Sequence, residues 1–495
     1  MSFLSLIFFI FLAVCVVVYY LVPKKGQWIV LLCASIVFYG YATRMGLLAL
    51  LAETLIIYLL VRWMEQKPEN AKKILVLICV LAAVAMLLLL KYLPESLGGK
   101  SVFSGWFFKD LLMSLGISYY TLMIISYAVD VYREQIPAET NYARLVLFAF
   151  YFPSITQGPI NRYGDLSPQF YEVHMFDGDA FFKGLFRFAW GCFKKLVIAN
   201  RTAALITAVY GSQKSTGVII LLALLLTMLQ LYTDFSGCAD MAIGVSQVLG
   251  IHLPENFRQP YFSRSIEEYW RRWHITLGAW LKDYIYYPIS VSGASKWFIK
   301  KGADRQAKKR RTKLVSIVAL MILWIIMGIW HGSGMKFFIM GVYYGVVFII
   351  TMLLAPIAER FDKKHPKLVA SPLYKFWQQV RTVLLLWLAP ILFSVKDLSQ
   401  LKTLVSKVFT GFRFGTLFDG TLLKFDLDAL QLILLAVGFL SLLVVSVIEY
   451  NKKETISELV RGQKWFVQIL AWWYVIILIL LSLNIANTEF IYAQF

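Results

Sequence analysis

Long apolar runs follow one another along the chain, near residues 3–22, 28–42, 46–63, 74–93, 107–129, 182–209, 217–235, 314–331, 336–356, 378–394, 428–449 and 464–485. Crossing a hydrocarbon core of about 30 Å takes roughly 20 apolar helical residues, so the pattern predicts an all-α integral membrane protein with roughly 11–12 spans. A membrane barrel would instead show short alternating segments, whereas residues 218–230 and 430–447 are almost continuously apolar. The first run has neither a basic leader nor a small-residue cleavage site and reads as a retained span. Two stretches, about 143–160 and 240–290, break the pattern with Pro, Gly, charge and aromatics. Such segments at membrane depth are re-entrant or interfacial, and they persist where they line a cavity or are covered by protein.

The polar positions between the runs predict topology. Basic residues gather at Lys24 and Lys25 and in 62–73, 300–313 (KKGADRQAKKRRTK), 360–367 and 452–464, while 94–105 and 331–335 carry almost no charge. The positive-inside rule puts the basic loops in the cytoplasm and both termini outside. The lysines of 394–425 are an exception, in a loop long enough to follow the rule weakly. The same loops hold much of the net charge of +20, so membrane topology accounts for a balance that would otherwise suggest nucleic acid. The composition agrees, with 59% apolar and 16% charged residues. Five scattered cysteines form no C-x-x-C and read as buried thiols. No internal repeat is visible, so the chain reads as one polytopic domain: N-terminal spans 1–142, a core 143–356 holding the broken segments, and C-terminal spans 357–495.

Two of the five histidines lie in or beside membrane-length apolar sequence: His274 in EYWRRWHITLGAWLKDYIYYP (268–288) and His331 in MGIWHGSG (327–334). Ionisable groups there are costly and usually functional. Neutral imidazole is the least costly of them to bury and accepts a proton at neutral pH. His331 ends a span running outward from Lys313, with Trp330, Gly332 and Gly334 opening space around it. A histidine merely bonded within a helix bundle is the alternative. Around His274, one helix would place Trp270, Trp273, Leu277 and Trp280 on one side and Arg271, Lys282 and Asp283 elsewhere. That arrangement suits either substrate binding or an interfacial anchor. Asn161 in YFPSITQGPINRYGDL (151–166), Lys194, Lys195 and Asn200 in GCFKKLVIANR (191–201), and Asp234 in LYTDFSGCADMAIG (231–244) are further polar groups near membrane depth. They either pair with one another or line the entry for an anionic donor. Metal chemistry has no support: there is no H-E-x-x-H, paired Cys or carboxylate cluster beside either histidine. Ser236 lacks the elbow motif of serine hydrolases.

Along its whole length the chain resembles the membrane-bound O-acyltransferases, most closely the bacterial alginate-acetylation type. The resemblance rests on QGPINRY, GCFKKLVIANR, DFSGCADMAIG, LPENFRQPYFSRSIEEYWRRWHITLGAWLKDYIYYP and GIWHG. It implies helices ringed around a thin centre where a cytoplasmic and an outer funnel meet, with His331 catalytic and His274 its companion. The ending FIYAQF (490–495) resembles the family's carboxyl-terminal motif, whose tyrosine, here Tyr492, is proposed to carry the acyl group. The D-alanyl-transferring branch has that motif on a separate small protein.

The resemblance thus implies a multi-pass enzyme of the bacterial plasma membrane, moving an acetyl group from cytoplasmic acetyl-CoA, or from an acyl carrier protein, to a cell-surface polysaccharide. No bound cofactor or nucleic acid is expected. Trp270, Arg271, Trp273, Lys282, Asp283, Asn161, Lys195 and Asp234 are the expected donor- or substrate-binding residues. Outside, the partner would be the polysaccharide or an SGNH-type acetyltransferase. D-alanyl or other acyl transfer to teichoic acid or peptidoglycan is the alternative within the family. A polysaccharide exporter or channel is the rival from another class, with neither an inverted repeat nor a like-charged ring to support it.

Overall fold

In the computed structural model, residues 1–92, 111, 116–212, 215, 217–302, 304–332, 334–425 and 427–483 are described. Among them the chain is helical, with one isolated antiparallel bridge, Phe257 to Trp273. Seven helices among the described residues are long and apolar enough to span a membrane: Arg44–Glu65, Glu69–Tyr92, Gly217–Val248, Arg305–His331, Met335–Lys364, Pro372–Ser394 and Ala429–Lys452. Leu6–Leu21, Gln27–Ala42 and Trp465–Leu480 have 16 residues each. Such a helix rises about 24 Å, so it reaches across only with flanking residues or a thinned bilayer.

Several expected boundaries move. The run at 107–129 lies partly outside the described residues, and its described helix is Ile117–Tyr132. The run at 182–209 is two helices, Gly178–Phe193 and Asn200–Gly211, joined by a π-helical turn at Lys194–Ala199. The irregular stretch expected from residue 240 begins only after Val248, because small and apolar side chains carry the helix past Asp240.

The described residues form two compact units. One comprises those of Met1–Leu196, Asp234–Glu255 and Glu454–Phe495; the other comprises Val197–Thr233 and Asn256–Lys453. Lipid tails supply no hydrophobic drive between helices, so close packing and satisfied polar groups must hold each unit together.

In the first unit, α1 (Gly178–Phe193) and the end of α2 (Gly217–Val248) approach through facing glycines. A Cβ on Gly191 would lie 2.5 Å from the Gly237 carbonyl oxygen, and one on Gly184 would lie 2.7 Å from that of Gly244. Both glycine pairs repeat after seven residues, two helical turns, so the backbones touch along one seam. Between them Arg187 grips Glu255 with two hydrogen bonds (2.7 and 2.6 Å) and Asp240 Oδ1 at 3.1 Å, while Lys194 meets the other Asp240 oxygen at 2.5 Å. The irregular segment after Phe150 is covered by protein: Tyr151, Phe152, Ser154 and Ile155 are fully buried, and the Phe152 amide donates to Ser35 Oγ at 3.1 Å. That burial is the condition for non-helical backbone at membrane depth.

The second unit has one apolar core of Leu205, Ile206 and Val209 with Val218–Leu224 residues, Ile391, Val395 and Phe425. The Trp387 indole N–H closes it by donating to the Leu224 carbonyl at 2.7 Å. Helices α3 (Arg305–His331) and α4 (Met335–Lys364) form an antiparallel hairpin. Gly328 and Gly341 lie so close to the opposite backbone that added Cβ atoms would come within 2.4 Å of the Phe337 oxygen and 2.5 Å of the Trp324 oxygen.

Candidate active site

His331 is the last residue of α3, and the tight hairpin with α4 fixes its position. Its ring is buried, edge-on to Phe393 at 5.1 Å and beside Trp330 at 4.9 Å between centroids. Phe337, from the first turn of α4, packs on Phe393 at 5.4 Å. Gly332 does not open space here, contrary to expectation: a Cβ on it would fall 2.3 Å from the Phe337 ring. The glycine lets that ring close against the turn.

His274 does not lie on one amphipathic helix. Ile266–Trp270 ends at Trp270 and the next helix, Ile275–Leu281, begins after His274. Between them the chain turns, with His274 at φ 44° and ψ 53°, a left-handed conformation uncommon outside glycine. That strain is of order 1–3 kcal/mol and persists only where the surroundings enforce it. The enforcement is visible. Residues 256–258 run alongside, the Arg258 amide donating to the Arg272 carbonyl at 2.9 Å and the Ile275 amide to the Asn256 carbonyl at 3.1 Å. The His274 ring is buried, lies 6.4 Å from Trp330, and has Nδ1 3.1 Å from Asn256 Oδ1. Trp330 therefore touches both histidine rings.

Trp270 and Trp273, on either side of the turn, pack against other aromatic side chains. Trp273 is buried against Tyr269, Phe257, Tyr232 and Tyr261. Trp270 meets Trp324 at 4.7 Å and Tyr344 at 5.3 Å. Arg271 is exposed and pairs with Glu267 at 2.8 Å. Lys282 is exposed over the Tyr287 ring at 5.3 Å, and the half-buried Asp283 follows it in the same π turn. His331, His274, Trp270, Arg271, Trp273, Lys282 and Asp283 thus belong to the second unit, and Asn161, Lys195 and Asp234 to the first. There Lys195 and Asp234 pair with each other at 2.5 Å, both buried, and the Asn161 side chain is buried as well. Tyr492 lies outside the described residues.

Asn256, Thr276, Trp330, Phe393 and the Arg187–Asp240–Glu255 cluster were not singled out as candidates from sequence. The one available signal was unpaired charge in apolar surroundings at Arg187 and Asp240; Asn256 lies 18 residues from its partner with no periodicity to connect them.

Residues 73–300 match the model of the MBOAT, membrane-bound O-acyltransferase family. The chain is 32% identical over 466 residues to a protein of Azotobacter vinelandii named "Probable alginate O-acetylase AlgI", covering 92% of this chain and 85% of that one. It is 30% identical over 382 residues to the peptidoglycan O-acetyltransferase of Helicobacter pylori, covering 71% and 68%. It is also 30% identical over 271 residues to the teichoic acid D-alanyltransferase of Bacillus subtilis, covering 52% and 62%.

Proposed function

The chain belongs to the membrane-bound O-acyltransferase family, and we propose that it moves an acetyl group from a cytoplasmic thioester, acetyl-CoA, to a cell-surface polysaccharide. The exporter reading gives way, since the family is one of acyltransferases. The observation that carries the proposal is the packing of His274 and His331 on one Trp330 side chain inside a buried aromatic wall. The breadth of the similarity to a named alginate O-acetylase, 92% of this chain, favours acetyl over D-alanyl transfer.

In this reading His331 is the general base. It takes the proton from the attacking hydroxyl as the oxygen–carbonyl bond forms, the carbon–sulfur bond breaks, and the departing thiolate receives the proton. Tyr492 is the first acceptor. A thiol leaves at a pKa near about 8.5 and a phenol near about 10, and an aliphatic hydroxyl lies closer to water at about 15.7. An aryl ester therefore stands between thioester and sugar ester in leaving-group ability. Acyl carrier protein as donor, and an SGNH-type acetyltransferase between Tyr492 and the polysaccharide, are alternatives of the same chemistry.

The test is sidedness. Labelled acetyl-CoA is presented to sealed, oriented vesicles. Label should enter protein only from the face carrying the basic run 300–313, and reaction solely from the opposite face would overturn the cytoplasmic donor.

A further inference from the structure

Asn256 makes its contacts through one oxygen. Asn256 Oδ1 lies 3.2 Å from the Thr276 amide nitrogen, 3.0 Å from Thr276 Oγ1 and 3.1 Å from His274 Nδ1. A backbone N–H can only donate, so the atom facing it is the carbonyl oxygen; rotating the amide would set two donors against each other at 3.2 Å. The same oxygen faces His274 Nδ1, and two lone pairs would repel there. Nδ1 therefore carries the proton. In neutral imidazole only one nitrogen is protonated, which leaves the lone pair on Nε2.

We propose that Asn256 is a positioning residue that holds His274 as its Nδ1–H tautomer, so that Nε2 acts in acyl transfer as a proton acceptor and not as a hydrogen-bond donor to the acyl oxygen. The proposal rests on the reading of His274 as an active-site residue. Three features make the arrangement rigid. Asn256 and His274 are each about 99% buried, both belong to the same unit, and the backbones of 256–258 and 272–275 are hydrogen-bonded side by side. The left-handed turn at His274 points the same way: a ring held in an unfavourable backbone conformation, and fixed through one nitrogen, has its other nitrogen aimed by the frame. In chemical terms, with His331 serving the hydroxyl that attacks the thioester, Nε2 takes the proton of the hydroxyl that attacks the aryl ester of Tyr492 and gives it to the departing phenolate, and the oxyanion must be met by some other donor.

The experiment uses the full chain in liposomes with 15N-labelled histidine. Solid-state NMR reads the His274 nitrogens, assigned by their loss in His274→Gln, and acetyl transfer is measured on the same samples. Wild type should show a protonated Nδ1 and a pyridine-like Nε2. Asn256→Ala should mix the tautomers and lower turnover about 10-fold to 100-fold, the range seen when partners orienting metal-bound histidines are removed. Asn256→Asp keeps an acceptor oxygen and should restore the Nδ1–H signal and part of the rate, even if the Ala variant folds poorly. A protonated Nε2 in wild type, or unchanged turnover and signals in Asn256→Ala, would overturn the assignment. Normal turnover in His274→Ala would instead remove His274 from the site, a failure of the underlying reading that the Asn256 variants alone would not produce.

Discussion

Lys195 and Asp234 offer the clearest separation between a structural and a substrate-binding role. Their side chains are 1% and 2% exposed and 2.5 Å apart. At that separation the attraction in an effective dielectric near 20 is about 7 kcal/mol, set against several kcal/mol of desolvation for each ion. The pair is therefore close to neutral overall, but removing one member strips this attraction from a charge that stays buried. Lys195→Met and Asp234→Asn should each cost about 3–5 kcal/mol, and the double variant should cost less than either alone. The assay is denaturation of the detergent-solubilised protein, followed by size-exclusion fluorescence, with the KM for acetyl-CoA measured in parallel. If Lys195 serves an anionic donor instead, Lys195→Met would raise KM and leave stability within about 1 kcal/mol, and the two single costs would simply add. That outcome would make Lys195 a donor-binding residue and not half of a structural pair.

Three further outcomes are expected. Gly332→Ala puts a methyl group 2.3 Å from the Phe337 ring; the shift of Phe337 and Phe393 should lower acetyl transfer with a loss of about 1–3 kcal/mol in stability, and Phe337→Leu added to it should recover activity. Gly191→Ala would set a Cβ 2.5 Å from the Gly237 carbonyl oxygen and force the two helices apart, so stability should fall by a similar amount, about 1–3 kcal/mol, read as a lower thermal midpoint, and the Arg187 and Lys194 contacts to Asp240 should lengthen. Tyr492→Phe keeps the ring and removes only the oxygen; acetylation should be lost, and mass spectrometry of the wild-type carboxyl-terminal peptide should find the acetyl adduct, whereas wild-type activity in the Phe variant ends the relay.

The long helices were legible because burying a helix in lipid demands an unbroken apolar run, and runs such as 428–449 lie within two or three residues of the observed Ala429–Lys452. The burial of His331 was legible for the same reason: an imidazole in apolar surroundings stands out. The turn at His274 was not. The spacing of Trp270, Trp273, Leu277 and Trp280 suits a helix, and neither glycine nor proline stands at the turn itself, Gly278 lying inside the helix that follows; the break comes from pairing with residues 256–258, a contact no local rule contains. The positions of Lys194, Arg187 and Asp240 could be marked as charged residues in apolar sequence, but their mutual neutralisation depends on two glycine pairs that let α1 and α2 touch. Gly332 suggests open space beside His331, because sequence does not reveal which ring will occupy the space that a glycine leaves.

Acetyl transfer to a surface polysaccharide through His331 is tested by mass spectrometry of surface glycans from cells carrying the wild-type gene, a deletion, or His331→Ala expressed at wild-type level. A general base contributes about 10²–10⁴-fold, so acetyl esters should be present in the first and absent from both of the others. Full acetylation in the His331→Ala cells, or in the deletion, would contradict the account.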